Sequence, residues 1–196
     1  IGTHIKKCAG IADRDFSEDI LNEIDKLYNK TFATLDDTAA NEMMDAISKA
    51  KVEGISVGGI LETVIIGMDA GIGEPMFDTV EGILAHALYA IPGIKGVEFG
   101  AGFSIADMTG KEANDLFYIA NETVKTRTNN SGGINGGITN GMSIIFRCAV
   151  RPTPTLGIEQ DTIDIANRTD EVLLSKGRHD PCIVHRARVV VDSITA

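Results

Sequence analysis

Eleven consecutive positions constrain this chain more than any others: Ser131-Gly132-Gly133-Ile134-Asn135-Gly136-Gly137-Ile138-Thr139-Asn140-Gly141 holds five glycines. Glycine reaches φ > 0 without steric cost, but it loses more conformational entropy on folding than any other residue. A compact domain keeps such a cluster where exposed backbone is useful. The run therefore predicts that a ligand or a second backbone comes close.

The rest of the chain reads as one domain over residues 1–196, long enough to bury a core, with 43% hydrophobic and 23% charged residues. Acids outnumber bases 28 to 18, and the net charge of −10 argues against nucleic acid or an anionic membrane as the main partner. Any anion site must be a local basic cluster. Cys8, Cys148 and Cys182 are odd in number and far apart, and His4, His86, His179 and His185 have no zinc spacing. The expectation is no metal site, no disulfide framework and reduced thiols in a cytoplasmic protein. No apolar run approaches the length of a membrane span, and no signal-peptide pattern is present. The chain opens at Ile1 inside an expected strand, which reads as a piece of something longer.

Taken in order, Ile1 to Ile5 reads as that strand. Ser17 is placed to cap a helix carrying Ile20, Leu21, Ile24, Leu27 and Tyr28. A second helix is predicted over Asp37 to Lys51, with Ala40, Met43, Met44 and Ile47 on its buried side and Lys49 and Lys51 near its C-terminal end. Ile55 to Met68 changes to β-branched alternation around Glu62 and predicts a strand. Asp78 and Glu81 offer a capping box for a helix through Ile83, Leu84, Ala87 and Leu88, closed by Pro92-Gly93. His86 on that helix reads as a surface residue rather than a ligand. Ile94 to Phe99 predicts another strand, and the polar stretch 107–130 a long mobile excursion. Ser143 to Val150 predicts a buried strand whose Arg147 must reach solvent or meet an acid. Short apolar pieces at Ile163 to Ile165 and Val172 to Leu174 follow, and Val184 to Ala196 predicts a helix entering the core.

The nucleotide motifs fail. Met76 stands where Gly71-Ile72-Gly73 would need a third glycine, and no glycine loop is followed by Lys-Ser or Lys-Thr. Two other segments carry chemistry. Arg151-Pro152-Thr153-Pro154-Thr155 sets a rigid extended backbone that presents a guanidinium and two hydroxyls. Local spacing leaves a phosphate cradle and a proline-stiffened connection equally open. Lys176-Gly177-Arg178-His179-Asp180-Pro181 is the densest ionisable cluster. By charge alone it reads first as a solvated turn, and second as a pocket mouth that binds an anion and moves a proton.

Together, in order and spacing, Asn129 to Gly141, Arg151 to Thr155 and Gly177-Arg178-His179-Asp180-Pro181-Cys182 resemble the C-terminal signatures of chorismate synthase. Gly71 to Asp78, Ile91-Pro92-Gly93-Ile94-Lys95-Gly96-Val97-Glu98-Phe99-Gly100 and Glu112-Ala113-Asn114-Asp115 fit the same family. The resemblance spans essentially the whole chain. It implies an α+β sandwich of helices between antiparallel β-sheets, assembled as a homotetramer. It also implies a shikimate-pathway lyase of aromatic amino-acid biosynthesis that removes phosphate from 5-enolpyruvylshikimate 3-phosphate by 1,4-anti elimination. The family requires reduced FMN without net redox change, with NADPH as a possible reductant.

Carried over by motif, the flavin would meet Pro92, Gly93, Gly136, Arg151, Pro152, Thr153, Pro154, Thr155 and Arg178. Arg151, with Thr153 and Thr155, would take the FMN phosphate, and Gly136 would let backbone approach the cofactor. Pro92 and Gly93 need not serve the same pocket as the others, since subunits of this family contribute across an interface. Arg178 would face the anionic flavin and the departing phosphate. Asp180 would help the flavin accept the C6 proton, and His179 is either a proton relay or a brace for the turn. Arg151 stands where the family often has lysine, which keeps the charge and adds a donor fork. The family's N-terminal part includes an early Ser-His-Gly-type segment, a second histidine and the arginine-rich motifs. None of these has a counterpart here, so the resemblance implies that the 196-residue chain alone is inactive and binds FMN weakly. The alternative is a non-catalytic flavin-binding or oligomerising module.

Overall fold

Alternating apolar residues build the centre of the molecule, and the computed structural model describes all residues 1–196. The main sheet has five strands in the order β2-β1-β3-β9-β4, every pair antiparallel. Its members are β1 (Gly2–Cys8), β2 (Ile11–Ala12), β3 (Gly59–Ile65), β4 (Ile94–Phe99) and β9 (Ile144–Val150). The central strand β9 shows why one face becomes core: Ile144, Phe146, Cys148 and Val150 are buried, while Ile145, Arg147 and Ala149 point the other way. Its two neighbours lie in register with it, Leu61 of β3 and Val97 of β4 both facing Cys148.

Five helices complete the α+β class: α1 (Ile20–Tyr28), α2 (Asp37–Val52), α3 (Val80–Tyr89), the single turn α4 (Gly110–Ala113) and α5 (Val184–Thr195). Helix α5 buries Val184, Ala187 and Val191 in one cluster with Ile5, Leu61 and Phe146, and α3 adds Leu88. From α5, Arg188 reaches back to α1, donating to Leu27 O at 3.2 Å and Lys30 O at 3.1 Å. A buried guanidinium thus satisfies carbonyls at a helix C-terminus, the end where positive charge is favoured. No helix is long and apolar enough to cross a membrane.

Several local expectations shift by a residue or two. Asp19, not Ser17, occupies the N-cap position of α1 and makes no side-chain cap bond. Ser17 instead donates its backbone N–H to Glu23, whose carboxylate also pairs with Arg14. Thr79 caps α3, its hydroxyl accepting from Gly82 N at 2.9 Å, so the Asp78–Glu81 box does not form. On α2, Met43 is fully buried but Met44 is 41% exposed, because the helix turns only a narrow stripe to the core. The strand expected from Ile55 to Met68 is shorter, Gly59–Ile65.

Segment 107–130 carries α4 and a two-stranded hairpin, β5 (Phe117–Ala120) with β6 (Thr123–Thr126). Buried Asp115 ties it to the glycine run, accepting from Thr128 Oγ1 at 2.6 Å and from the backbone N–H groups of Asn130 and Ser131 at 2.8 Å. A second hairpin joins β10 (Gln160–Asp164) to β11 (Thr169–Leu173). The glycine run is itself the third, β7 (Ile134–Asn135) with β8 (Ile138–Thr139).

Candidate functional site

Gly136 (φ 59°) and Gly137 (φ 85°) form the two-residue turn of the β7–β8 hairpin, a left-handed pair that any L side chain resists. Their neighbours use the missing side chains for close backbone packing. A Cβ on Gly132 would lie 2.5 Å from Gly100 N, and one on Gly137 would lie 2.4 Å from Thr79 Cγ2. The chain's own backbone comes close at Gly132 and Gly133 and the Thr79 side chain at Gly137, Gly141 makes only ordinary contact with Ala70, and Gly136 has nothing within 4 Å. Gly136 alone keeps an open approach.

Helix α3 separates the remaining expected residues from that tip. Its first turn meets the hairpin through Val80 N to Gly137 O (3.0 Å), while beyond its last turn Gly93 O accepts from Arg151 N (2.9 Å). The glycine run lies at the Ile144 end of β9 and Arg151 follows its Val150 end, with a strand about 20 Å long between them. Within one chain it is Gly136 that stands apart, and Gly93 that joins the Arg151 segment.

At the Arg151 end the expected residues do assemble. The backbone leaves β9 through Arg151-Pro152-Thr153, and Thr153 Oγ1 donates to Asp180 O at 2.7 Å, while Val57 N donates to Pro181 O at 2.8 Å. Ser56 Oγ fixes Thr153 O from the other side at 2.6 Å. These bonds hold the loop 176–182 against the exit of β9. Arg151, Thr155 and Arg178 are exposed, and Arg151 Nε reaches only Pro152 O. The Thr153 hydroxyl proton goes to Asp180 O, so Arg151 and Thr155 carry the unspent side-chain donors of that segment. Pro92 and Pro154 are exposed and contribute shape rather than donors.

Asp180 has a partner that sequence reasoning missed. Arg186, in the first turns of α5, lies 2.5 Å from its carboxylate. The hydrogen bond from Arg186, with the charges of Arg186, Arg178 and His185 behind it, holds the Asp180 carboxyl below its ordinary range. It is a fixed anion at neutral pH. His179 Nε2 lies 3.2 Å from Ser175 O, the geometry of an imidazole N–H bracing its own loop. The helical reading of Val184 to Ala196, with Arg186 two residues inside it, was the available signal for this pair.

A second charged group was not anticipated as a unit. His4, Glu62, Arg147 and Glu98 are paired residues on four adjacent strands, so they form one row across β1, β3, β9 and β4. With Asp13 at its end the row alternates in sign. His4 Nδ1 to Asp13 is 2.8 Å, His4 Nε2 to Glu62 is 3.1 Å, Arg147 to Glu62 is 3.2 Å and Arg147 Nε to Glu98 is 2.6 Å. Burial by itself would lower the His4 pKa, but its bonds to Asp13 and Glu62 outweigh burial and raise it. Burial likewise opposes ionisation of Glu62, and His4, Lys6 and Arg147 overcome it and lower its pKa. The available signal was an ionisable residue inside each strand; Arg147 was expected to reach solvent or meet an acid, and it meets two.

The structure is thus an α+β fold on an antiparallel sheet, with the exposed guanidiniums of Arg151 and Arg178 at a proline-stiffened edge. Comparison with known proteins makes this specific. The family model described as chorismate synthase matches residues 1–196. The chorismate synthase of Dehalococcoides mccartyi is 46% identical over 157 residues, covering 80% of this chain and 43% of that protein. That of Methanosarcina mazei is 40% identical over 194 residues, 98% of this chain and 52% of that protein. A crystal structure of chorismate synthase superposes with a TM-score of 0.72 at 29% identity, covering 79% of this chain and 49% of that one. The chain belongs to the chorismate synthase family, and it spans about half the length of the relatives it matches.

Proposed function

We propose that this chain supplies the flavin-phosphate and anion-handling half of a chorismate synthase. The reaction is loss of phosphate from 5-enolpyruvylshikimate 3-phosphate by 1,4-anti elimination. The observation that carries the reading is the assembly of Arg151, Thr155, Gly93 and the Arg178–Asp180 loop along one edge, with two exposed guanidiniums.

That edge fits a phosphate-bearing cofactor: Arg151 and Thr155 offer unspent donors, and Gly93 (φ 100°) leaves the space beside Arg151 Cγ clear of a side chain. Reduced FMN, held by Arg151 and Thr155 at its phosphate, would supply the electron-rich ring that the elimination requires. Arg178 places positive charge where phosphate leaves, which favours the separated state over the ground state. Asp180, kept ionised by Arg186, orients a proton-accepting neighbour rather than competing for the proton. His179 holds the turn that presents both. Gly136 serves a flavin contact only across an interface, consistent with a tetramer whose subunits share sites. NADPH as reductant and a cytoplasmic setting follow from the same family reading.

The test is phosphate release from 5-enolpyruvylshikimate 3-phosphate with photoreduced FMN under anaerobic conditions. The 196-residue chain alone is expected to release none, and the complete enzyme to lose turnover on Arg178→Ala. Turnover by the isolated chain would sink the half-site reading. Flavin binding with no turnover in the complete protein would mark a binding module instead.

A further inference from the structure

The core holds two thiols in contact that the proposed chemistry does not use. Cys8, the last residue of β1, and Cys182, just ahead of α5, lie 174 positions apart in sequence with their sulfurs 3.7 Å apart. Both are free, and they are 0% and 2% exposed. The two are not equivalent. Cys182 receives the backbone N–H groups of Val184 and His185 at the start of the 12-residue α5, with Arg186 near by. The hydrogen bond with Cys8 comes first and, with these groups, overcomes burial to bring the Cys182 thiol down to about 7. Cys8 is pushed up by the same bond and by burial. The third cysteine, Cys148, has no such partner and is pushed up to about 12 by burial alone.

We propose that Cys8 and Cys182 are a redox-modification site, an oxidisable dithiol that a peroxide converts into a disulfide tying the end of β1 to the entrance of α5. The Cys182 thiolate attacks one peroxide oxygen. An S–O bond forms, the O–O bond breaks, and the leaving hydroxide takes up the proton that Cys182 released, becoming water. The Cys8 sulfur then attacks the sulfenic sulfur; the S–S bond forms, the S–O bond breaks, and the oxygen departs as a second water with the Cys8 proton. Two thiols lose two electrons and two protons, and one peroxide becomes two waters.

A disulfide needs its sulfurs at about 2.05 Å, so closure from 3.7 Å draws one thiol-bearing segment toward the other. On the β1 side Ala9 N is held by Gly58 O at 3.1 Å, at the end of the β1–β3 pairing. On the Cys182 side lie Pro181 and Asp180, whose carbonyls are held by Val57 N and Thr153 Oγ1. Cys8 is paired to strands on both sides, whereas Lys176, Gly177 and Arg178 are exposed and outside any helix or strand, so oxidation pulls on the segment that presents Arg178 and Asp180. The thiols are closed to solvent in the resting fold, and their oxidation proceeds at the rate at which this loop opens. The dithiol stands on this geometry and is independent of the function proposed above.

The folded protein is treated with hydrogen peroxide, quenched with N-ethylmaleimide, digested and mapped by mass spectrometry. A Cys8–Cys182 peptide pair two hydrogens lighter than its reduced sum, reversed by dithiothreitol and with Cys148 unlinked, is the expected result. Peroxide consumption should slow by roughly tenfold or more in Cys182→Ser, while Cys8→Ser leaves a sulfenic acid that dimedone traps at Cys182. The same treatment in urea controls for folding of the variants, since a fold-built pair loses its preference over Cys148 there. Linkage through Cys148, independent oxidation of Cys8 and Cys182, or equal pairing in native and urea conditions would overturn the proposal.

Discussion

Two groups of charged residues in this molecule use the same side-chain types and end in opposite states. The row Asp13–His4–Glu62–Arg147–Glu98 lies across the sheet with every member paired, and His4 fully buried. The edge formed by Arg151, Arg178, Asp180 and Arg186 is exposed and holds a single ion pair. Buried charge demands partners because desolvation is costly, so the row is bonded within itself and to the backbone around it, Arg147 donating to Gly100 O and Asp13 accepting from the Leu35 and Asp36 N–H groups. The exposed edge keeps donors unspent. Charge in the row therefore serves the fold, and charge on the edge is free for a ligand.

The largest break in that comparison is Arg147→Ala, which removes the guanidinium shared by Glu62 and Glu98 and leaves His4 as the only charged partner of Glu62. It should destabilise the chain by about 3 kcal/mol in urea denaturation, whereas Arg151→Ala should stay within about 0.5 kcal/mol. Equal losses would mean that the row and the edge do not differ in the way described. Next comes the hairpin tip, where Gly137→Ala meets Thr79 Cγ2 at 2.4 Å. A loss of about 2–3 kcal/mol is expected there, against about 1 kcal/mol for the open Gly136→Ala. Thermal melts of the two variants would show whether Gly136 is kept for its turn alone.

A smaller, pH-dependent effect sharpens the row itself. His4 has a raised pKa when folded, so its contribution is complete below its ordinary value of 6.5 and is lost as pH rises through the folded value. Asp13 and Glu62 have lowered values, so theirs is complete above their ordinary 3.8 and 4.5 and is lost as pH falls through the folded ones. Denaturation midpoints should peak between about pH 5 and 6.5, and His4→Gln should remove the alkaline slope and also shrink the acid one, since His4 is foremost among the groups that lower Asp13 and Glu62. A wild-type alkaline slope that survives in His4→Gln would assign it to another group. Least visible in stability is Arg151→Ala itself, whose effect belongs to the ligand: FMN affinity of the complete enzyme should fall roughly tenfold, as for a lost charge-assisted bond. Unchanged affinity, read by flavin fluorescence quenching, would move the phosphate elsewhere.

Much of the fold could be read from periodicity, because local patterns report on one element at a time. The helices over residues 20–28 and 37–52 and the strands around Glu98 and Arg147 follow directly from apolar spacing. Caps were misplaced by one or two residues because Ser17, Asp19, Asp78 and Thr79 are all competent, and only the incoming chain direction selects among them. The hairpin within 107–130 escaped notice because its strands are four residues long and mostly exposed, leaving no apolar alternation to detect.

By itself the sequence determined the class of the protein: the ordered motifs at 129–141, 151–155 and 177–182, the antiparallel α+β core, and the acidic balance that leaves only local basic clusters for anions. Only tertiary structure decided how those motifs group. Strand register turned four isolated polar residues into one charged row, and helix α3 put the glycine hairpin and the Arg151 edge at opposite ends of the sheet. The same packing brought Cys8 against Cys182 and Arg186 against Asp180. Sequence spacing measures distance along the chain, whereas desolvation, ion pairing and thiol contact depend on distance through space, and that is fixed only when the sheet closes.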